Sequence, residues 1–320
     1  MLGVAVTAKC PNKCEICGIK YRKDNLNPGT LRSCIDEVCG MGFRSFGVSG
    51  GEPVENKNTL RMIEYASSSG LSCHLTTSGA YAKSKKEGSR KAQEFKDAGL
   101  DNLRLSVDMD HSKSVPFQNW VNAIRGAVKV DIPTSLVCTY RNGEWERNAV
   151  LLYLLGRELG AQIDSNQSSN CFLMEVDGKE IKAKYSDLYR VGRARGLDRS
   201  NFKLEKTRVD QICTSEKLLI SNTGELLPCC NFYAWENQEQ FSLGNIERSD
   251  ITSMIANMDK KPIGALLKEQ DRSLVEILRS SEDPRIRGMA ESEYSGLCEM
   301  CSDVFTDPEA SKFVSDTIKS

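Results

Sequence analysis

The sequence predicts an α/β fold in which parallel strands alternate with helices. Short apolar runs recur along the first half of the chain, and amphipathic stretches of about ten residues separate them, as in βα units. The hydrophobic fraction of 39% and the charged fraction of 27% are those of a globular protein, and 320 residues suffice to bury a large core.

Five strand–helix units are clear between residues 4 and 159. The predicted strands are residues 4–7, 43–48, 72–77, 103–107 and 134–139. The predicted helices are residues 31–41, 58–69, 86–98, 117–128 and 146–159. The sixth strand is ambiguous, because Cys171–Val176 and residues 189–194 both look extended.

The pattern changes after about residue 206. Residues 217–220 and 225–227 flank the turn sequence Ser221-Asn222-Thr223-Gly224, which predicts a β-hairpin. Residues 251–278 have helical spacing that is broken at Lys261-Pro262. We therefore expect an α/β body over residues 1–205, a cysteine-bearing α+β domain over 206–305, and a tail over 306–320.

Composition excludes several classes of partner. The 43 basic and 44 acidic residues nearly cancel, which predicts neither nucleic-acid nor membrane binding. No apolar run approaches the roughly 20 residues of a membrane span, and the N-terminus lacks the basic region of a signal peptide. The odd count of 13 cysteines speaks against a disulfide framework and favours metal or redox chemistry, so we expect a cytoplasmic location.

The spacing Cys10-x3-Cys14-x2-Cys17 places three thiols in one loop after the first strand. Three thiolates can hold three irons of a cubane cluster and leave the fourth iron open to a small molecule. Structural zinc is the alternative, but it normally takes four ligands. No fourth Cys or His lies nearby in the sequence, where His74 and His111 are the only histidines.

This cysteine loop resembles that of the radical S-adenosylmethionine (AdoMet) superfamily. Gly50-Gly51-Glu52-Pro53 resembles the glycine-rich motif of the same superfamily. The resemblance implies a partial (β/α)6 barrel with AdoMet and a [4Fe–4S] cluster at the carboxyl ends of the strands. Cys10, Cys14 and Cys17 would bind the cluster. The residues that would contact AdoMet are Gly50, Gly51, Glu52, Pro53, Thr77, Ser78, Ser106, Asp108 and Arg193.

A second group of cysteines resembles the twitch domain, a half-length SPASM domain that holds one auxiliary [4Fe–4S] cluster. The implied ligands are Cys213, Cys229, Cys298 and Cys301. A zinc knuckle with the same four cysteines is the alternative. Cys34, Cys39, Cys73, Cys138 and Cys171 are assigned to packing.

Pro228-Cys229-Cys230, together with Asp108-Met109-Asp110-His111, resembles radical AdoMet peptide epimerases. The resemblance implies that an L-residue of a ribosomally made peptide is inverted, with Cys230 as hydrogen donor, and that a flavodoxin or ferredoxin supplies electrons. Cys230 as a spare or alternative ligand stays open. So do two other functions: a twitch-type dehydrogenase of a sugar, aminocyclitol or peptide residue, and a metal- or redox-sensing module. Gly50-Gly51-Glu52-Pro53 speaks against a sensor, which needs no AdoMet site.

Overall fold

The computed structural model describes residues 1–19, 25–164, 171–206, 211–213, 217–229, 238–269 and 271–319. Six parallel strands form the centre of its sheet: β1 (Leu2–Ala5), β2 (Ser45–Ser49), β3 (Ser72–Thr77), β4 (Leu100–Ser106), β5 (Thr134–Tyr140) and β8 (Lys179–Asp187). Each is paired in parallel with the next in this order. The predicted α/β fold with six parallel strands is confirmed.

One helix follows each of the first five strands: α1 (Pro28–Gly40), α2 (Thr59–Ser68), α3 (Lys85–Asp97), α4 (Phe117–Lys129) and α5 (Trp145–Leu159). The capping residues in the sequence agree with the positions at which these helices begin. Asn27 caps α1, which has Pro28 at its first position, and Ser84 caps α3 by accepting from the Glu87 amide. Because these helices cover the sheet, strand side chains such as Val4, Phe46 and Leu103 are fully buried.

The sixth parallel strand is β8, which neither predicted candidate matches. Cys171–Val176 is β7, which runs antiparallel to β8 and pairs with the short β6 (Gln162–Ile163). Asp177 and Gly178 both have positive φ, 49° and 74°, and turn the chain between β7 and β8. Part of residues 189–194 instead lies in a 3₁₀ turn over Gly192–Gly196. The strand was missed because only Ile181 and Ala183 in it are fully buried, among exposed lysines.

The predicted hairpin of the second half is confirmed as β9 (Leu218–Ile220) and β10 (Glu225–Leu227), with β11 (Gly244–Asn245) beside β10. Strand β9 also pairs in parallel with β1, so the hairpin extends the barrel sheet. Later helices span Gln238–Phe241, Ile251–Ala256, Pro262–Lys268, Leu274–Arg279, Pro284–Ala290, Leu297–Thr306 and Pro308–Lys319. The division at residue 205 stays a prediction.

The later helices form a second apolar core. Leu274, Met300 and Val314 pack in it together with Ala5 of β1 and Leu219 of β9. The C-terminal part therefore lies against the first strand of the barrel, next to the loop that carries the first cysteines. In the described part of the chain, no helix has both the length and the apolar character needed to cross a bilayer.

Candidate active site at the carboxyl ends of the strands

Cys10, Cys14 and Cys17 lie in the loop between β1 and α1, at the carboxyl end of β1. Burial raises the pKa of Cys10 to about 12, and the nearby Glu52, Cys17 and Cys14 also raise it. The three thiols therefore lie close enough to influence one another. Cys14 is buried, whereas Cys10 and Cys17 are half-buried.

The Gly50-Gly51 pair packs against this cysteine loop. Gly50 has a φ of +131°, and a Cβ at Gly50 or Gly51 would lie 2.3 Å from the Thr7 carbonyl oxygen or 2.1 Å from that of Lys9. The Gly51 and Glu52 amides donate to the same two carbonyls, each at 2.7 Å. The resemblance implies that these glycines contact AdoMet, and in the structure their close neighbour is the backbone leading into Cys10.

Glu52 is a buried carboxylate, 2% exposed, held by the end of β3. Its Oε1 accepts from Thr77 Oγ1 at 2.6 Å, and its Oε2 accepts from the Ser78 amide and hydroxyl at 3.0 and 2.5 Å. The structure thus brings three of the predicted AdoMet-contacting residues together. Ser78 is fixed in turn, because its carbonyl accepts from Trp120 Nε1 at 2.9 Å. Pro53, which is also buried, begins a 3₁₀ turn directly after Glu52.

Asp108 and His111 form a pair beside the cysteine loop. His111 Nδ1 lies 2.9 Å from both carboxylate oxygens of Asp108, and the His111 amide donates to Oδ1 at 2.8 Å. Burial lowers the pKa of His111, but Asp108 and a hydrogen bond with Cys14 raise it well above its usual range. The sequence argument against zinc, that no fourth ligand lies near the three cysteines, therefore does not hold in the folded chain, because folding brings His111 to Cys14. Ser106, at the end of β4, is half-buried.

Two buried polar atoms near the cysteine loop have no hydrogen-bond partner among the described residues: Asn12 Nδ2 and Arg193 Nε. The Arg193 amide donates to the Cys17 carbonyl at 2.9 Å, which fixes this residue beside the loop. Buried donors without partners are costly, so they fit a polar ligand such as the carboxylate or ribose of AdoMet. The AdoMet contacts remain predictions.

A charged cluster that the sequence did not reveal joins the cysteine loop to the barrel. Arg141, directly after β5, donates from Nη2 to Asp110 Oδ1 at 2.6 Å and to Glu15 Oε2 at 2.9 Å. Lys113 Nζ also contacts Asp110, at 2.9 Å. Asp110 is 5% exposed, and Glu15 follows Cys14. In the sequence, the cluster is indicated only by Arg141, a charged residue directly after a predicted parallel strand.

Cys213, Cys229, Cys298 and Cys301 line one cavity of about 260 Å³, whose other walls are largely apolar. Burial raises the pKa of Cys301 well above its usual range, and Cys229, Cys298 and Cys213 raise it further. Among the described residues, no three Cys, His, Asp or Glu side chains converge closely enough to hold a single metal ion. Cys230 lies outside the described residues.

Comparison with known proteins finds a family model that matches the first part of the chain. Residues 4–150 match the family model of the radical SAM superfamily. GTP 3′,8-cyclase of Campylobacter fetus subsp. fetus is 23% identical over 285 residues, which cover 78% of this chain and 85% of that protein. The PqqA peptide cyclase of Xanthomonas oryzae pv. oryzae is 28% identical over 110 residues, and the match spans only 28% of its length.

The fold of the whole chain is similar to that of anSMEcpe, solved with bound AdoMet and Cp18Cys peptide. The TM-score is 0.60 at 13% identity, and 99% of each chain is covered. A likeness at this identity concerns the fold, including the part that carries the second group of cysteines.

Proposed function

The chain carries a radical SAM domain over residues 4–150, and from that premise we propose that it inverts an L-residue of a ribosomally made peptide. The family implies AdoMet and one [4Fe–4S] cluster. When bound, they supply a carbon-centred radical able to take a hydrogen atom from the substrate. In the proposal, Cys10, Cys14 and Cys17 hold that cluster, and a flavodoxin or ferredoxin reduces it.

The residues around the cysteine loop fit a bound AdoMet. The carboxylate of Glu52 is held rigidly by Thr77 and Ser78. Buried beside the loop are donors of Asn12 and Arg193 that have no partner within the described part of the chain. A rigid acceptor and free donors at the carboxyl ends of strands can orient a charged, polar cofactor without reorganisation. His111 keeps zinc open as an alternative at this loop, since three cysteines and a histidine also form a zinc ligand set. The family match favours iron.

The second proposed cofactor is an auxiliary [4Fe–4S] cluster. The proposal of this cluster rests on the cavity of about 260 Å³, which all four predicted ligands line. Cys213 and Cys298 meet there although they are 85 positions apart in the sequence. A zinc knuckle with the same four cysteines is the alternative, and the metal content of the purified protein decides between the two.

The choice of a peptide and of epimerisation rests on two further points. PqqA peptide cyclase is named for a peptide, and anSMEcpe was solved with one. Cys230 adjoins Cys229, which lines the cavity, and a thiol can return a hydrogen atom to a carbon radical. A redox-neutral inversion needs such a donor, whereas the alternative, dehydrogenation, does not.

The test is anaerobic incubation of the reconstituted chain with AdoMet, a reductant and peptides encoded beside its gene. We expect 5′-deoxyadenosine release and a product of unchanged mass whose hydrolysate contains one D-residue. A product about two mass units lighter would instead indicate the dehydrogenase. If no 5′-deoxyadenosine formed with any peptide, the proposed activity would be wrong.

A further inference from the structure

One short segment of the chain reaches from the first cysteine loop to the cavity lined by the four later cysteines. Residues 189–193, here called the bridging segment, follow β8. Tyr189 and Val191 line the cavity of the four cysteines. The Arg193 amide donates to the carbonyl of Cys17 in the first loop. The two sites are thus joined through five consecutive residues.

The cavity end of the bridging segment contains an ion pair between a half-buried arginine and a buried carboxylate. Arg190 Nη1 lies 2.9 Å from Glu299 Oε1, and the two side chains are 27% and 2% exposed. Glu299 Oε2 accepts from both the amide and the hydroxyl of Ser295, each at 2.8 Å. Glu299 stands between Cys298 and Cys301 on one helix. Since all these donors fix Glu299, they also fix the helix turn that presents the two thiols.

The other end of the bridging segment packs tightly against the first cysteine loop at Gly192. Gly192 has a φ of +55°, and a Cβ there would lie 2.3 Å from the carbonyl carbon and oxygen of Gly18. Gly18 follows Cys17 directly. Only glycine therefore permits this contact, both for its φ and for its lack of a side chain.

We propose that the bridging segment positions both thiolate sites and that the Arg190–Glu299 pair sets the reduction potential of the auxiliary cluster. The potential of an iron–sulfur cluster depends on nearby charge and hydrogen bonding, and a buried charge is poorly screened. Arg190, Gly192 and Glu299 are positioning residues, since none is assigned to contact substrate. The inference rests on the auxiliary cluster of the proposed function.

The pair is tested by potentiometric EPR titration of the full chain with both clusters in place. Arg190→Gln leaves the negative charge of Glu299 and should lower the midpoint potential of the auxiliary cluster. Glu299→Gln leaves the positive charge of Arg190 and should raise it. A purely structural role would not give shifts of opposite sign. The matched controls are Arg195→Gln and Asp303→Asn, which disrupt a more exposed ion pair to the same helix. Its two side chains are 37% and 33% exposed, so these variants should shift the midpoint potential less.

Two further variants keep the inference falsifiable. If Arg190→Gln loses the cluster, Arg190→Lys, which keeps the charge, should restore it. Gly192→Ala should remove the AdoMet-induced change in the EPR signal of the first cluster. Gly178→Ala should not, because Gly178 has a similar φ, +74°, but open space around its Cβ.

Shifts of one sign, or none, with both clusters present would overturn the inference, as would an unaltered Gly192→Ala enzyme. Failure of the underlying proposal looks different. The unmodified chain would then hold only about four irons, and no second midpoint potential would be measurable.

Discussion

Thr77 Oγ1 lies 2.6 Å from Glu52 Oε1, so the residue that ends β3 is bonded to a carboxylate in the loop after β2. With Ser78, this bond uses both oxygens of a side chain that is 2% exposed. Parallel neighbours end at the same edge of a sheet, which is why residues 25 positions apart meet here. Glu52 is therefore part of the frame on which a ligand at this edge would rest.

The first prediction concerns this carboxylate. Glu52→Gln replaces one acceptor oxygen with an NH2 donor and removes the charge that strengthens the bonds from Thr77 and Ser78. We expect a loss of about 1–3 kcal/mol in the free energy of unfolding, together with weaker AdoMet binding. Urea denaturation and equilibrium dialysis measure the two effects. Glu55→Gln, at an exposed position three residues later, is the control and should change neither.

The second prediction concerns Gly51, which touches the cysteine loop. Gly51→Ala puts a Cβ 2.1 Å from the Lys9 carbonyl oxygen, so the loop must move. We expect destabilisation of about 1–3 kcal/mol and poor retention of the first cluster, read as iron content after desalting. Gly40→Ala, where no atom lies within 4 Å of the new Cβ, should retain its iron. Equal iron in both variants would contradict the role given to this contact.

The third prediction concerns Arg141 and its dependence on pH. Burial raises the pKa of Asp110, but hydrogen bonds from Arg141 and Lys113 outweigh it and hold this pKa below its ordinary value. A lowered pKa in the folded state means that the pair stabilises the protein above the unfolded pKa of about 3.9. That stability is lost as the pH falls through the folded pKa.

Arg141→Gln should therefore cost about 3–5 kcal/mol near pH 7, because it leaves a buried carboxylate short of its main partner, and less near pH 3. Urea denaturation at several pH values gives the difference between the two proteins. The control is Arg90→Gln, which breaks an exposed ion pair with Glu94 and should cost under about 1 kcal/mol. A cost for Arg141→Gln that does not change with pH would show that the ion pair is not its source.

The sequence was sufficient for β1–β5 and α1–α5 because each unit is formed by neighbours in the chain. It failed at β8, where the buried face consists of little more than Ile181 and Ala183, so the apolar part of the alternation is weak. Contacts between residues that lie far apart in the chain could not be predicted from the sequence either. Arg141 and Glu15 are 126 positions apart, and His111 reaches Cys14 only after folding. The four cysteines of the cavity could be grouped in advance only through a family resemblance.

The fourth prediction separates the two cysteine sites. The reconstituted chain should hold about eight irons, and replacing Cys213, Cys229, Cys298 or Cys301 with Ala should reduce this toward four. Because the first loop is untouched, these variants should still cleave AdoMet. The triple Cys10, Cys14 and Cys17 to Ala variant should lose that cleavage. Zinc instead of iron in the second site, measured after anaerobic purification, would contradict the twitch assignment.

The last prediction concerns Cys230 and decides between inversion and oxidation. In an inversion, the substrate radical must be quenched by a hydrogen atom, and a thiol hydrogen exchanges with solvent. In heavy water the product should therefore gain about one mass unit at the inverted centre. Mass spectrometry of the digested product measures the gain and locates it.

Cys230→Ala should keep both clusters and still release 5′-deoxyadenosine, yet form little inverted product, because the substrate radical then lacks its donor. Cys39→Ala is the control, since this half-buried thiol in α1 donates to the Ser69 carbonyl, and the variant should invert normally. A dehydrogenase would behave otherwise: its product would be about two mass units lighter in either solvent, and Cys230→Ala would form it as well as the unmodified enzyme. That result would replace the epimerase with the oxidation, while leaving the assignments of both cysteine sites intact.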